Sequence, residues 1–531
     1  MELRQFLQRL RETGNLLHLS KEIPLNHIAA LLASTDRTIF FERVQHHDMP
    51  LVGNVAASRR NIALAFGCEP RDILPALRAR LEQPPELKSV TDAPVKAQIA
   101  TGDEVDLTRL PLHLQHEKDG APYISACVDV THDPEQGRWN LGMRRLMFQD
   151  RNHVGIDLVA PSDLMVLYQR SAAAGKPLEI AFLLGVHPLW QLGALIRTPI
   201  QNEIHFLAKL AGQPLELIPC ETIDLQVPAA AEIILEGRIG AAGYTHMEGP
   251  YGEFLGAYGT ARRNPLVEIT AVTCRHQPIF QSTTISGPKL ARTETSQLSA
   301  IRSEHVIWEA LRHAVQEPVS VYCPPAATQV YAVAAIRKRF AGEGKNALLA
   351  MLSCKANVKQ AVVVDDDIDI FDHERVEWAL GTRMQPSRDV FILDDVRCSP
   401  LDPSITTGPP FTTSKMGIDA TRPFGAKAER FAVALPPFHS VLGGRLTEEA
   451  LLDYLAAAPE ELAPPTLTDE THLAERILAR LADGSATYLD LLEALPSCDQ
   501  RLLLRSLGAL TQSGRIQRDD AGRLTRAPQR S

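Results

Sequence analysis

Two glutamates stand five residues apart in Glu248-Gly-Pro-Tyr-Gly-Glu253, a stretch built on Gly249, Pro250 and Gly252. Proline fixes φ and glycine admits strained turns, so this loop has a defined shape. Two carboxylates on such a loop can hold a hard cation or work as an acid and a base. Taken alone, the stretch reads as a tight turn with two solvated acids. Arg144 and Arg145 end the run Arg138-Trp-Asn-Leu-Gly-Met-Arg-Arg145 at the start of a strand. Strand alternation sends them to opposite faces, so one can meet a pocket while the other meets solvent. Their planar forks suit a carboxylate or a phosphate. Glu294, in Ala291-Arg-Thr-Glu294, opens a helix, where the dipole favours its anion and capping acids are common. Lys415, in Ser414-Lys-Met-Gly-Ile-Asp-Ala-Thr421, is read in a short loop, holding a phosphate or lying in solvent. Val364-Asp-Asp-Asp-Ile-Asp369 reads as a strand end whose carboxylates cap the next helix. The 17 histidines show no HxH or HExxH spacing, so each reads as structural.

These residues need elements to hold them. Helical spacing of Leu3, Phe6, Leu7 and Leu10 predicts a helix over 3–17, with Gly14 near its end. Residues 38–66 read as short strands and 70–82 as a helix. Proline and polar residues over 83–97 suggest a surface connection. From 121 to 285 short β-rich runs dominate, including 124–131, 144–148, 178–184, 215–219, 232–239, 266–273 and 278–284. Helical stretches at 162–173 and 198–211 interrupt them, which suggests a barrel or sandwich with inserted helices. Strands and helices alternate from 297 to 440, an α/β pattern. Residues 446–531 are rich in Leu, Ala and Arg, with a proline break at 464–467. They read as three helices and a two-stranded ribbon, the outline of a winged helix.

The 531 residues call for two to four domains. Hydrophobic content of 45% and charged content of 22% are those of a globular protein. A net charge of −9 argues against non-specific nucleic-acid binding. Residues 178–196 come nearest to a membrane span but are broken by Glu179, His187 and Gln191. The N-terminus lacks a signal-peptide core, and eight scattered cysteines without CxxC spacing fit reduced thiols, so a cytoplasmic protein is expected.

Six stretches together resemble the UbiD family of decarboxylases, which use prenylated flavin mononucleotide. They are Trp139 to Arg145, Ala231 to Gly237, Glu248 to Glu253, Val362 to Asp369, Trp378 to Met384 and Ser414 to Thr421. They follow the family's order over residues 1–440. The resemblance implies an N-terminal α/β domain (1–115), a split-barrel prenyl-FMN domain (116–296) and a C-terminal α/β oligomerisation domain (297–445). A linker and winged-helix-like segment (446–531) lie outside the usual pattern. The implied reaction is reversible, non-oxidative decarboxylation of an aromatic or α,β-unsaturated acid, with quinone biosynthesis as a plausible setting. The implied partners are a flavin prenyltransferase and further copies of the chain, in a dimer or hexamer.

Carried over by position, Asn140 and Glu248 would be metal ligands, and Gly142, Met143 and Arg144 would line the cofactor. Arg145 would hold the substrate carboxylate and couple to Glu294, and Lys415 would hold the flavin phosphate. The implied metal is divalent, manganese by preference, with potassium nearby. Two departures stand out. Asp163 occupies the region of a third metal ligand that is a histidine in many members. Ser299 and Ala300 fall where a second glutamate serves as proton donor, with Glu304 one helical turn on. Glu253 is left as a structural acid. The alternative reading is a catalytically altered paralogue whose tail serves assembly or DNA contact.

Overall fold

The computed structural model describes residues 1–528 apart from 134, 159–161, 197–201, 407–410, 443, 445, 458–468 and 497. The predicted proline break at 464–467 lies outside the described residues. The chain divides into a large unit, Met1–Lys427, and a smaller one, Ala428–Ser531.

The large unit opens with α1 (Leu3–Glu12), whose buried face is Leu3, Phe6, Leu7 and Leu10. The helix is shorter than predicted. Gly14 takes a φ of 70°, and the chain re-enters as β1 (Leu16–Leu19). After α2 (Ile28–Ala33) come β2 (Thr38–Phe41) and β3 (Leu51–Gly53). The rest of the predicted strand region is instead α3 (Arg59–Phe66). The Ser58 side chain accepts from the Asn61 amide to start it, and left-handed Gly67 stops it. α4 (Ile73–Leu81) follows.

The middle of the unit carries β4 (Leu87–Ser89), β5 (Gln98–Thr101), β6 (Tyr123–Asp133), β7 (Arg138–Phe148) and β8 (His153–Ile156). Next come α5 (Asp163–Ala173), β9 (Leu178–Leu184), α6 (Pro188–Leu195) and α7 (Glu203–Ala211). Then follow β10 (Leu215–Pro219), β11 (Gln226–Pro228), β12 (Ile233–Ile239), β13 (His246–Glu248) and β14 (Tyr251–Gly252). β15 (Tyr258–Gly259), β16 (Arg262–Asn264), β17 (Leu266–Cys274) and β18 (Phe280–Ser282) complete the region. Six strands close into a barrel in the order β12-β9-β6-β7-β8-β17, because β12 also pairs with β17. Ile124, Leu146, Ile156, Phe182, Leu235 and Ile269 belong to one buried apolar cluster of the barrel strands. The other strand face, with Val128, Leu141, Leu183 and Ile234, packs against Trp190 of α6 and Leu207 of α7. β4 and β5, within and beside the predicted surface connection, pair with β10 and β17. β18 leaves the barrel region and pairs in parallel with β3, completing the sheet β1-β2-β3-β18.

A third part starts with the long α8 (Glu294–Ala314). It continues through β19 (Pro318–Tyr322), β20 (Tyr331–Ile336), α9 (Glu343–Ser353), β21 (Gln360–Asp365) and α10 (His373–Arg383). It ends with α11 (Pro386–Asp389), β22 (Val390–Arg397) and β23 (Thr412–Asp419). The sheet order is β19-β20-β21-β23-β22, with β20, β21 and β23 parallel. Ser414 to Asp419, predicted as loop, is thus strand. The acids after Val364 do less capping than predicted. Arg383 donates to Asp365 at 3.0 Å and to Asp367 at 2.7 and 2.8 Å, while Asp369 accepts from the Phe371 amide.

The smaller unit holds α12 (Glu448–Ala456), α13 (Glu470–Ala482), α14 (Tyr488–Ala494) and α15 (Gln500–Gln512). The hairpin β24 (Ile516–Arg518) and β25 (Leu524–Arg526) follows, and the last three helices and the hairpin share a core around Leu473, Ile477, Leu491 and Leu503. Among the described residues, no helix is long and apolar enough to cross a membrane.

Candidate active site

The strand β7 deals its residues to two sides, as alternation requires. Gly142 and Arg144 turn toward Asp129 of β6, which is fully buried. Arg144 Nε lies 3.6 Å from Asp129 Oδ1. A Cβ on Gly142 would come within 2.7 Å of the same oxygen, so a side chain here would have to displace the Asp129 carboxylate. Arg145 turns the other way, beside an irregularity in the β6–β7 register between Ile124 and Cys127. It donates Nε to Glu248 at 3.0 Å, Nη1 to Glu253 at 2.6 Å, and Nη2 to Asp157 at 3.1 Å. The Tyr251 ring lies 4.7 Å from the guanidinium carbon, a cation–π contact. The glycine-proline loop therefore brings both of its glutamates to one arginine. Burial works against the Arg145 charge, but Glu253 and then Glu248 outweigh it and hold its pKa well above the ordinary value. Burial raises the Glu253 pKa by more than Arg145 lowers it. Three carboxylates around one guanidinium leave an excess of negative charge, so one of them takes a proton more readily.

Glu294 stands elsewhere. It is fully buried as the first residue of α8, behind the capping Thr293. One carboxyl oxygen accepts from the Ala56 amide at 2.9 Å and the other from the Thr284 amide at 3.0 Å. Burial lifts its pKa to about 7, and these backbone donors keep it from rising further. Arg145 has Glu248, Glu253 and Asp157 as carboxylate partners, so the expected Arg145–Glu294 pair is not formed. A run of contacts leads from the Tyr251 ring beside Arg145 to Glu294 instead. The Tyr251 hydroxyl donates to Gln115 Oε1. Gln115 Nε2 donates to Ser125 at 2.6 Å and to the Thr283 carbonyl at 3.1 Å. The next residue, Thr284, donates its amide to Glu294.

Asn140 lies near the start of β7 and donates Nδ2 to Glu203 at 2.9 Å. The Leu141 amide donates to the same Glu203 oxygen at 2.5 Å. Glu203 opens α7 and is buried, a residue the sequence reading did not single out; its one signal is an acid following Asn202 at a helix start. Asn140 Oδ1 is buried and has no hydrogen-bond partner among the described residues. An unmet buried acceptor is costly, so this strand end fits a polar cofactor that would satisfy it. Met143 is partly buried and packs against the clusters around α6.

The residues expected as metal donors have protein partners or face solvent. Glu248 uses both carboxylate oxygens on Arg145. Asp163 is exposed in the first turn of α5, whose start is capped by Ser162. Among the described residues, no group of three or more His, Cys, Asp or Glu side chains is arranged to hold a metal. Lys415 is also remote in kind: it is buried on β23 and donates Nζ to the Leu352 carbonyl of α9 at 2.6 Å. Ala300 sits fully buried in an apolar core with Leu74, Ile307 and Leu348. Ser299 is buried beside it on α8. Glu304 is committed to Arg59, at 2.7 and 2.9 Å, and to the Cys323 amide.

A closed barrel between two α/β parts, with a partly buried arginine held by acids and a separate near-neutral carboxyl, is the frame of an enzyme that handles carboxylates. Family profiles for the 3-octaprenyl-4-hydroxybenzoate carboxy-lyase match its N-terminal domain at 7–81, its Rift-related domain at 87–289 and its C-terminal domain at 297–420. The chain is 33% identical over 451 residues to a phenolic acid decarboxylase of Sedimentibacter hydroxybenzoicus, covering 80% of this chain and 92% of the relative. It is 31% identical over 438 residues to an anhydromevalonate phosphate decarboxylase of Methanosarcina mazei, covering 82% of this chain and 100% of the relative. Among solved structures, it is similar to the UbiD-class enzyme HmfF of Pelotomaculum thermopropionicum in complex with FMN. There the TM-score is 0.77 at 38% identity, over 82% of this chain and 98% of that one. An evolved dimeric form of HmfF in complex with prFMN gives 0.73 at 36% identity, over 82% and 97%. The chain belongs to the UbiD family and is a carboxy-lyase. Relatives that are themselves decarboxylases do not favour the alternative of an inactive paralogue.

Proposed function

We infer that this carboxy-lyase removes carbon dioxide from an aromatic or α,β-unsaturated acid with prenylated FMN as its cofactor. The observation that carries the reading is the pairing of roles on the two sides of Gln115. Arg145 is a permanent, partly buried cation, and Glu294 is a buried carboxyl with a pKa of about 7. Bound prenylated FMN supplies the electron sink for loss of the carboxylate. Asn140, with Oδ1 unmet, and the backbone of Gly142 and Met143 are the groups that would hold it. Arg145 orients the substrate carboxylate, for which one of its three acidic partners must give way; Asp157, the most exposed of them, is the one to leave. The bond between the carboxylate carbon and its neighbour breaks, carbon dioxide departs, and a proton takes its place. Glu294, half protonated near pH 7, and Glu253, whose pKa burial raises beside Arg145, are the groups on this chain suited to move that proton. No step here is routed through a divalent metal or potassium. Lys415 holds structure between β23 and α9 in this reading.

The domain reading of 1–115, 116–296, 297–445 and 446–531, a cytoplasmic homo-oligomer, and a place in quinone biosynthesis belong to the same proposal. Three helices and a hairpin in the smaller unit support a winged-helix-like tail, used for assembly rather than for nucleic acid. Co-expression with a flavin prenyltransferase tests the main reading. The purified protein is expected to carry a modified flavin spectrum and to release carbon dioxide from such acids. Bound prenylated flavin without turnover of any aromatic or unsaturated acid would overturn it.

A further inference from the structure

The carboxyl ends of two neighbouring parallel strands meet at the first residue of α8. β3 ends at Gly53, and β18, paired with it, ends at Ser282. The chain leaving β3 turns at Asn54, which takes a φ of 59°. Asparagine tolerates this left-handed conformation better than most residues. The turn directs three consecutive amides, those of Asn54, Val55 and Ala56, to the Glu294 carboxyl, and the Thr284 amide meets it from beyond β18. Successive amides at such a turn form a concavity for an anion. Asn54 is fully buried and fastens the turn. Its Nδ2 donates to the Leu32 carbonyl at 2.8 Å and to the Thr35 carbonyl at 2.9 Å. Its Oδ1 accepts from the Thr284 hydroxyl at 3.2 Å, and that hydroxyl oxygen accepts from the Glu294 amide at 3.1 Å. Asn54 thus ties both strand ends to the start of the helix.

Other buried glutamates are held differently. Glu232, Glu236, Glu248, Glu253 and Glu304 each have a lysine or arginine at 2.6 to 3.4 Å. Among the described residues, the Glu294 carboxyl is held by backbone amides and by no cation. A cation would fix it as an anion, whereas amides support the anion and still let a proton come and go. The charged residues of the segments packed around it are turned to other tasks. Arg59 pairs with Glu304, Arg292 donates to the Ser34 carbonyl, and Arg60 and Lys289 are exposed. We propose that Asn54 is a positioning residue of the decarboxylation: its left-handed turn and its side-chain bonds aim the amides of 54–56 at Glu294 and hold that carboxyl where it moves the proton. This rests on the reading in which Glu294 carries the proton, and it names the residue that sets Glu294 in place.

The test is the pH profile of carbon dioxide release by the flavin-loaded full chain, with kcat and KM separated. Asn54→Gly accepts the left-handed turn but cuts the side-chain ties. Thr284→Val cuts one tie from the other strand end and leaves its own amide in place. Amides that are aimed less well support the anion less, so Glu294 holds its proton to higher pH. The alkaline decline is expected to move up by at least about half a pH unit in both variants, with kcat falling about tenfold and KM little changed. A purely structural role would lower stability and leave the decline in place. Urea unfolding between about pH 5 and about pH 9 reads the same shift without turnover. There, the pH-dependent component that Glu294→Gln removes should move up in Asn54→Gly. An unmoved decline in the folded variants overturns the proposal and leaves the decarboxylase; if Asn54→Gly does not fold, Thr284→Val decides. Full turnover by Glu294→Gln overturns the proton role of Glu294 and this proposal with it.

Discussion

Arg145 donates Nη1 to Glu253 at 2.6 Å, across a separation of 108 residues in the chain. Glu253, which the sequence reading leaves as a structural acid, is therefore a direct partner of the arginine expected to hold substrate. Removing the cation would strand Glu248 and Glu253 in a buried site. Arg145→Met is expected to abolish carbon dioxide release and to lower stability by about 3–5 kcal/mol. Arg145→Lys keeps a charge but loses the fork, so it should fold while losing on the order of 10²-fold in kcat/KM. Urea unfolding and a carbon dioxide assay check the pair.

Glu294 couples pH to both stability and rate. Its pKa is about 7 when folded against an ordinary value of 4.5. A raised carboxyl pKa means the folded state binds the proton more tightly. Its contribution is full below the unfolded value and is lost as pH rises through about 7. The shift corresponds to about 3 kcal/mol. Wild-type unfolding free energy should fall by about that much from this group between acid and mildly alkaline pH. Glu294→Gln should remove that fall. If Glu294 moves the proton, kcat/KM should decline above about pH 7, and the Gln variant should be slow at all pH. Chemical denaturation and rate measurements across the same buffers check both signs.

Asn140 bears on the cofactor. Asn140→Ala removes the unmet Oδ1 and one donor to Glu203, which keeps its bond from the Leu141 amide. The protein should fold yet retain less flavin when co-expressed with a flavin prenyltransferase. The ratio of flavin to protein absorbance after gel filtration reads this directly. An unchanged ratio would place the cofactor contact elsewhere.

Ala300→Glu, the change that would restore a family-like second acid, should not help. Ala300 is fully buried among Leu74, Ile307 and Leu348. A carboxyl there has no partner, and burying one costs several kcal/mol, of order 2–7 for a polar group without a hydrogen bond. A lower Tm with no gain in turnover is expected; faster turnover would show that an acid on this turn of α8 reaches the substrate.

Much of the framework was legible because it is local. The strands 178–184 and 215–219 have the bounds their patterns predict. α3 was misread because Ile62 to Phe66 is a run of apolar residues, although Ser58 and Gly67 mark its two ends. α6 was missed because it is buried on nearly all sides and so shows no polar face to give it a period. Arg145, Asn140 and Glu248 were singled out by their motifs, and they do lie at the two polar clusters. Their partners were not, since Arg145 with Glu253 and Asn140 with Glu203 are contacts between distant parts of the chain. Asp163, Lys415 and Glu304 were placed by position in a pattern, and spacing along a chain does not say which way a side chain faces.

The parallel pairing of β18 with β3 has a consequence for synthesis. Phe280 must lie beside Leu51 before the first sheet has its last strand. A ribosome adds about 5–20 residues per second, so β3 waits on the order of tens of seconds with an open edge after it emerges. An unpaired edge strand invites the wrong neighbour. A nascent chain halted before Phe280 should thus be the species most dependent on chaperones.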